Sequence, residues 1–257
     1  MRLAGRAPGL VLALAWPLCA SAAAAPAQTP PARLHVTLVP NIPGARTTVE
    51  LSLSIAGARG QPPPPLRSLA LRLPAGMGVA TTTLGEANCE PAGLLASGLA
   101  GCSANAQLGV GVATAVVPVP TGNVIEQATL HPLMGPPHEN EVEVLFYIQA
   151  NMPVFAQLVL PAILAEDAPP FGERLLTSVP LIEVWPEGPD LALLGIQTTI
   201  GPLHLLYHRR VGSKTVYFHP RGVRIPQRCP REGLSFGALL SFVGGANRSV
   251  TYRVPCR

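Results

Sequence analysis

Apolar and polar residues alternate with a period of two along most of the chain, and helical periodicity is nearly absent. Over 33–39, Leu34, Val36 and Leu38 alternate with His35 and Thr37; over 47–55, Val49, Leu51, Leu53 and Ile55 alternate with mostly polar partners. That pattern predicts strands with one apolar face. The same rule gives strands at 69–73, 108–119, 141–150, 154–160, 174–179 and 191–200, and a hairpin joining 203–209 to 215–219 through Val211-Gly212-Ser213-Lys214. The tail, 229–257, is the clearest hairpin. Phe236, Ala238, Leu240 and Phe242 share a face, and Val250, Tyr252 and Val254 return on the other strand. Gly244-Gly245-Ala246-Asn247 supplies the turn, because Gly and Asn accept positive φ. A three-residue loop over 244–246 predicts Leu240 opposite Val250 and Phe236 opposite Val254. One segment breaks the pattern: 92–100 is rich in Ala and Leu, follows Pro91 and stops at Gly101, which predicts a short helix.

Thirty prolines and 25 glycines punctuate these runs and exclude long helices. The expected fold class is all-β: an antiparallel β-sandwich, or two, of immunoglobulin-like or similar type, with one short disulfide-pinned helix. A boundary or a sheet crossover falls near Pro120-Thr121-Gly122-Asn123. Taken as a boundary, it divides the chain after a leader (1–27) into an N-terminal β domain (28–122) and a C-terminal β domain (123–257). The leader reads as a secretory signal: Arg2 and Arg6 precede an apolar run over 9–16, and Ala20 to Ala27 offers small-residue cleavage sites. The expected location is therefore secreted or extracellular, with no later segment apolar and long enough for a helical span. An aromatic-girdled outer-membrane barrel is the weakest fit, because regular ten-residue strands and girdles are missing.

Removing the leader leaves Cys89, Cys102, Cys229 and Cys256, an even set for an oxidising compartment. Three pairings are open to four cysteines. Pairing 89 with 102 pins the helix, and 229 with 256 closes the open end of the tail hairpin. A four-thiolate zinc site lacks any C-x-x-C pair.

Three motifs carry a resemblance: L-P-A-G-M (73–77); C-x12-C followed by S-A-N-A-Q-L-G (89–109); and P-R-G-V-x2-P-x2-C-P-x2-G (220–233) running into a terminal V-P-C. On these the chain resembles a family of uncharacterised secreted actinobacterial proteins, β-rich and disulfide-bearing. The resemblance implies export and a β fold, and supplies no catalytic residue.

Charge is uneven. From Gly201 onward ten basic residues face Glu232 alone, whereas 28–200 carries six basic and thirteen acidic residues. Arg209, Arg210, Lys214, Arg221, Arg224, Arg228 and Arg231 thus form a candidate face for anionic cell-wall polymer or another surface partner. The plainer reading pairs them with Glu139, Glu141, Glu143, Glu183 and Glu187, or leaves them solvated. Scattered aromatics do not make a nucleic-acid stacking platform. His204 and His208, four apart on a predicted strand, stand about 13 Å apart, too far for one zinc ion. Glu141 and Glu143, about 7 Å apart on one strand face, suit a glycosidase-like pair, though such spacing is common on exposed strands. No G-x-S-x-G elbow occurs. The preferred reading is a secreted non-enzymatic β-sandwich binding module without cofactor or metal; the alternative is a secreted hydrolase using Glu141 or Glu143. Non-reducing peptide mapping is expected to recover Cys89 joined to Cys102 and Cys229 to Cys256, and any crossed pair overturns that assignment.

Overall fold

The computed structural model describes residues 29–58, 61–78, 83–137, 141–152 and 155–256. The leader expected over 1–27 lies outside them, as do His138 and Glu139. The first strands are β1 (Ala32–Val39), β2 (Arg46–Ile55) and β3 (Leu66–Pro74), followed by α1 (Pro91–Ser97). Next come β4 (Gly109–Val119), β5 (Gly122–Met134), β6 (Val142–Ala150), β7 (Ala156–Glu166), β8 (Phe171–Ser178) and β9 (Ala192–Ile200). The chain closes with the short hairpin β10 (Tyr207–Val211) and β11 (Lys214–Phe218), the two-residue β12 (Val223–Arg224), and the tail hairpin β13 (Leu234–Phe242) and β14 (Asn247–Val254).

The all-β expectation and both disulfides hold, but the sandwich is corrected. Eleven strands form one antiparallel sheet in the order β1-β2-β9-β4-β5-β6-β7-β8-β3-β13-β14, and β12 pairs with β2. The sheet coils until its edge strands β1 and β14 lie side by side, giving a nearly closed barrel. Period-two alternation gives each strand one apolar face, which suits the inside of a sandwich and of a barrel equally. Strand order decides between them, and it rests on pairings far apart in sequence. β9 inserts between β2 and β4, and β3 pairs β8 on one side and β13 on the other. Strands from both sides of Gly122 are therefore hydrogen-bonded neighbours in one sheet, and 28–122 and 123–257 do not form separate sheets. The expected boundary is instead the turn of the β4–β5 hairpin.

Following the registers around the barrel places one consistent set of residues inside. Leu53 of β2 faces Ile196 of β9, which faces Ala113 of β4, which faces Ala128 of β5. On the far side Thr177 of β8 faces Leu69 of β3, which faces Leu240 of β13. The outer face carries Glu50, Ser54, Gln127 and Gln197, together with Val112, Ile125 and Leu176, all exposed.

The tail hairpin forms, with its register shifted by two from the expected one. Ala238 faces Val250, Leu234 faces Val254, and Leu240 faces Arg248. The turn is longer than three residues: Gly244 and Gly245 both take positive φ, and Phe242 N–H donates to Ala246 O at 2.9 Å. A shift of two keeps the same face inward, so the core is unchanged. Cys229–Cys256 ties the open end of this hairpin, and Cys89–Cys102 ties α1 and its following 3-10 turn (Gly98–Gly101). α1 lies outside the barrel, where Leu94 packs with Leu133, Leu145 and Tyr147 from the outer faces of β5 and β6.

One end of the barrel is plugged. Leu84, Leu108, Leu205, Tyr207 and Ile225, from segments between strands, pack into the core there. Tyr207 accepts from Gly85 N–H at 3.1 Å and donates to Gln107 O. Burial leads the effects that push its hydroxyl up to about 12. On the outer face near this end, Gly237 of β13 leaves room for the Phe171 ring, which would lie 3.1 Å from a Cβ placed there. The Arg72 guanidinium stacks 3.8 Å over that ring, and its Nη2 donates to Asp167 Oδ1 at 2.9 Å. The hydrogen bond from Arg72 holds the Asp167 carboxyl below its ordinary value. A carboxyl depressed in the folded state contributes stability that is present above its unfolded value, near 3.8, and is lost as pH falls through the folded one. Urea midpoints taken between about pH 5 and pH 2 are therefore expected to fall more steeply for the wild type than for Asp167→Asn; equal slopes would refute this linkage.

Candidate functional site

The inward positions differ in how completely they are covered. On β1 and β13 they are closed over: Val36 is 2% exposed and Leu240 1%. On β6, β7 and β9, Phe146, Ile148, Leu158, Leu160, Leu193 and Ile196 face the same interior but remain half-buried. Inward side chains that keep accessible surface mark unfilled space. That space is a chamber of about 300 Å³, walled by these residues and by the short side chains of Ala113, Ala115, Ala128, Ala150 and Ala156. It occupies the half of the barrel toward the β4–β5 turn, opposite the plugged end.

The segment 179–191 between β8 and β9 runs across this half, and Pro180, Ile182 and Val184 line the chamber. The segment is anchored. Trp185 Nε1 donates to Pro118 O on β4 at 3.3 Å, and Leu191 N–H donates to Ile182 O at 2.9 Å. Gly188 lies under the Trp185 ring, where any Cβ would come within 2.6 Å of the indole.

Among the described residues four polar side chains line the chamber: Thr177, Thr198, Glu126 and Glu183. Thr177 Oγ1 donates to Pro161 O at 2.8 Å and Thr198 Oγ1 to Val110 O at 3.3 Å, so backbone satisfies both hydroxyls. Glu126 lies at an inward position of β5, opposite Ala115, and is 9% exposed. Its Oε1 accepts Met152 N–H at 2.8 Å. Glu183 is exposed on the crossing segment. Among the described residues no lysine, arginine or histidine lines the chamber.

The seven basic residues read from the sequence all belong to segments at the plugged end. Arg209, Arg210 and Lys214 are exposed on the β10–β11 hairpin, which Asn105 fixes through a pair of hydrogen bonds with the His208 backbone, at 2.8 and 3.0 Å. Arg221 is exposed beside Thr83, whose hydroxyl accepts its backbone N–H. Arg224, half-buried on β12, pairs with Arg46 of β2 in register. Arg228 and Arg231 are exposed along a shallow groove with Pro74, Pro170 and Arg253, where Arg253 pairs with Glu232 at 2.9 Å. No ion pair joins any of the seven to a carboxylate among the described residues.

Glu141 is exposed and Glu143 buried, and neither lines the chamber. His204 lies outside any strand at φ 66°, and His219 Nδ1 lies 2.7 Å from Leu205 O. Among the described residues no group of three or more His, Cys, Asp or Glu could hold a metal ion. Burial lowers the His131 imidazole and raises the Glu173 carboxyl from their ordinary values; neither side chain lines the chamber.

Sequence reasoning missed Glu126, because it missed β5. Glu126 and Pro132 interrupt the apolar set of that strand, Ala128 and Leu130, and so hide the alternation. Counting back by twos from Leu130 would have placed a lone carboxylate on an inward face. No protein-family model, no curated protein and no solved structure matches the chain.

A hollow wall and a filled wall respond differently to truncation. Leu240→Ala, at a closed-over position, is expected to cost about 2–5 kcal/mol in denaturant unfolding, the usual range for a buried leucine. Leu158→Ala, already facing empty space, is expected to cost clearly less. Equal losses would mean that the chamber is filled in solution.

Proposed function

We propose that this is an exported, non-enzymatic binding protein whose ligand site is the barrel interior, where it takes up a hydrocarbon chain or a compact apolar group. One observation carries the reading: half-buried inward side chains surround a space of about 300 Å³ whose charged lining, among the described residues, is Glu126 and Glu183. That volume is at the lower end of the roughly 300–1,000 Å³ typical of small-molecule sites. An apolar cavity of about 150 Å³ suffices for benzene. Each Å² of apolar surface removed from water contributes about 25 cal/mol, so a chain threaded among Phe146, Leu158 and Ile196 gains on both surfaces. Export rests on the leader pattern and on the two disulfides, which suit an oxidising compartment. The resemblance to secreted actinobacterial proteins is consistent with that location.

A second reading draws on a different surface. Six of the seven basic side chains are exposed and share the plugged end, which favours attraction of an anionic wall polymer at that end. The hydrolase alternative has less behind it, because Glu141 and Glu143 lie off the chamber and differ in burial.

Titration with the neutral fluorophore N-phenyl-1-naphthylamine separates these readings. The chamber reading expects saturable binding of one dye per chain, little changed between about 0.05 and 0.5 M salt. It also expects binding to be lost in Ala128→Trp, a variant that should keep its cooperative unfolding. Retention on immobilised anionic polymer that falls steeply with salt would support the basic end instead. A dye signal unaffected by Ala128→Trp would rule out the chamber.

A further inference from the structure

Resting on the chamber reading, we infer that the ligand is an amphiphile with a cationic head, an alkyl chain ending in an ammonium group, and that Glu126 is the residue that recognises the head. A carboxylate placed among apolar side chains loses hydration and needs donors in return. Glu126 is nine-tenths buried, lines the chamber, and receives a single donor, the Met152 N–H at Oε1. No other hydrogen bond or ion pair reaches its carboxylate among the described residues. Among the described residues, the chamber lining offers no cationic side chain to complete its shell. The missing counter-charge is therefore a group the ligand can bring.

The position suits that role. Glu126 stands level with Ala115 and Leu193 at the upper end of the interior, and Leu130, Phe146 and Ile148 line the space below it. A head held there leaves the chain pointing toward the plug, across the apolar walls. Glu183, on the segment crossing the same half, adds a second negative charge and no positive one. Two carboxylates on the lining disfavour a fatty acid and favour an alkyl ammonium ion, although an unbranched chain of either kind fits the walls equally. The backbone-satisfied hydroxyls of Thr177 and Thr198 offer no competing recognition.

Dodecylammonium, dodecanol and dodecanoate, each below its micellar concentration, can be compared by displacement of N-phenyl-1-naphthylamine from the mature protein. The expected ranking places dodecylammonium about tenfold or more ahead of dodecanol, as a charge-assisted hydrogen bond warrants, with dodecanoate last. Glu126→Gln keeps the side-chain shape and an acceptor for Met152 N–H. It is expected to bind dodecanol as the wild type does while losing most of the preference for the amine. Equal displacement by all three, or an amine preference that survives Glu126→Gln, overturns the head-group assignment and leaves the chamber reading standing. Failure of all three to displace the dye overturns both.

Discussion

The size of the side chains on the inward face governs everything else in this barrel. A strand turns every second residue inward, so eleven paired strands commit a fixed set of positions to the interior. The supply of volume to those positions is lopsided. β1, β2 and β13 send in Leu, Val and Phe, whereas β4 sends in Gly109, Gly111, Ala113 and Ala115, and β5 to β7 add Ala128, Ala150 and Ala156. The glycines are held to that size by their neighbour, since a Cβ on Gly109 would come within 2.0 Å of Thr199 O on β9. The interior is filled against one wall and left hollow against the other. The cavity is thus a property of residue choice within an otherwise ordinary sheet.

The two ends of the barrel are built differently. At one, loop segments fold inward and fill the opening, with Tyr207 stitching Gly85 to Gln107 and exposed basic side chains outside. At the other, a strap held by Trp185 passes over an apolar space fringed by carboxylates.

Much of this was legible in the sequence, and the reasons for the rest are physical. The strands of the first half, the tail hairpin, the short helix and both cystines follow from alternation, turn residues and spacing, all local signals. Strand order was not legible, because β9 finds β2 and β4 through contacts that local pattern does not encode. Proline also misled. Pro132 and Pro161 both sit inside strands, although proline normally marks a strand's edge or end. Pro132 keeps its place because its carbonyl still accepts Leu108 N–H at 2.8 Å. The candidate site was obscured by its own function-like residue: Glu126 breaks the apolar set that would have announced its strand. The basic residues, visible in composition, needed the fold to show that they gather at one end.

An odd number of strands in strict up-and-down pairing leaves its first and last members running the same way. β1 and β14 accordingly meet parallel, and no backbone ladder joins them. His35 and Tyr252 stack edge-on at 4.7 Å, and Asn41 Nδ2 donates to Pro255 O at 2.7 Å across the join. The circumference of the protein is therefore fastened by side chains along one line and by peptide groups everywhere else. Widening it along that line sacrifices a ring contact and a side-chain hydrogen bond, whereas widening it anywhere else would unzip a row of main-chain hydrogen bonds.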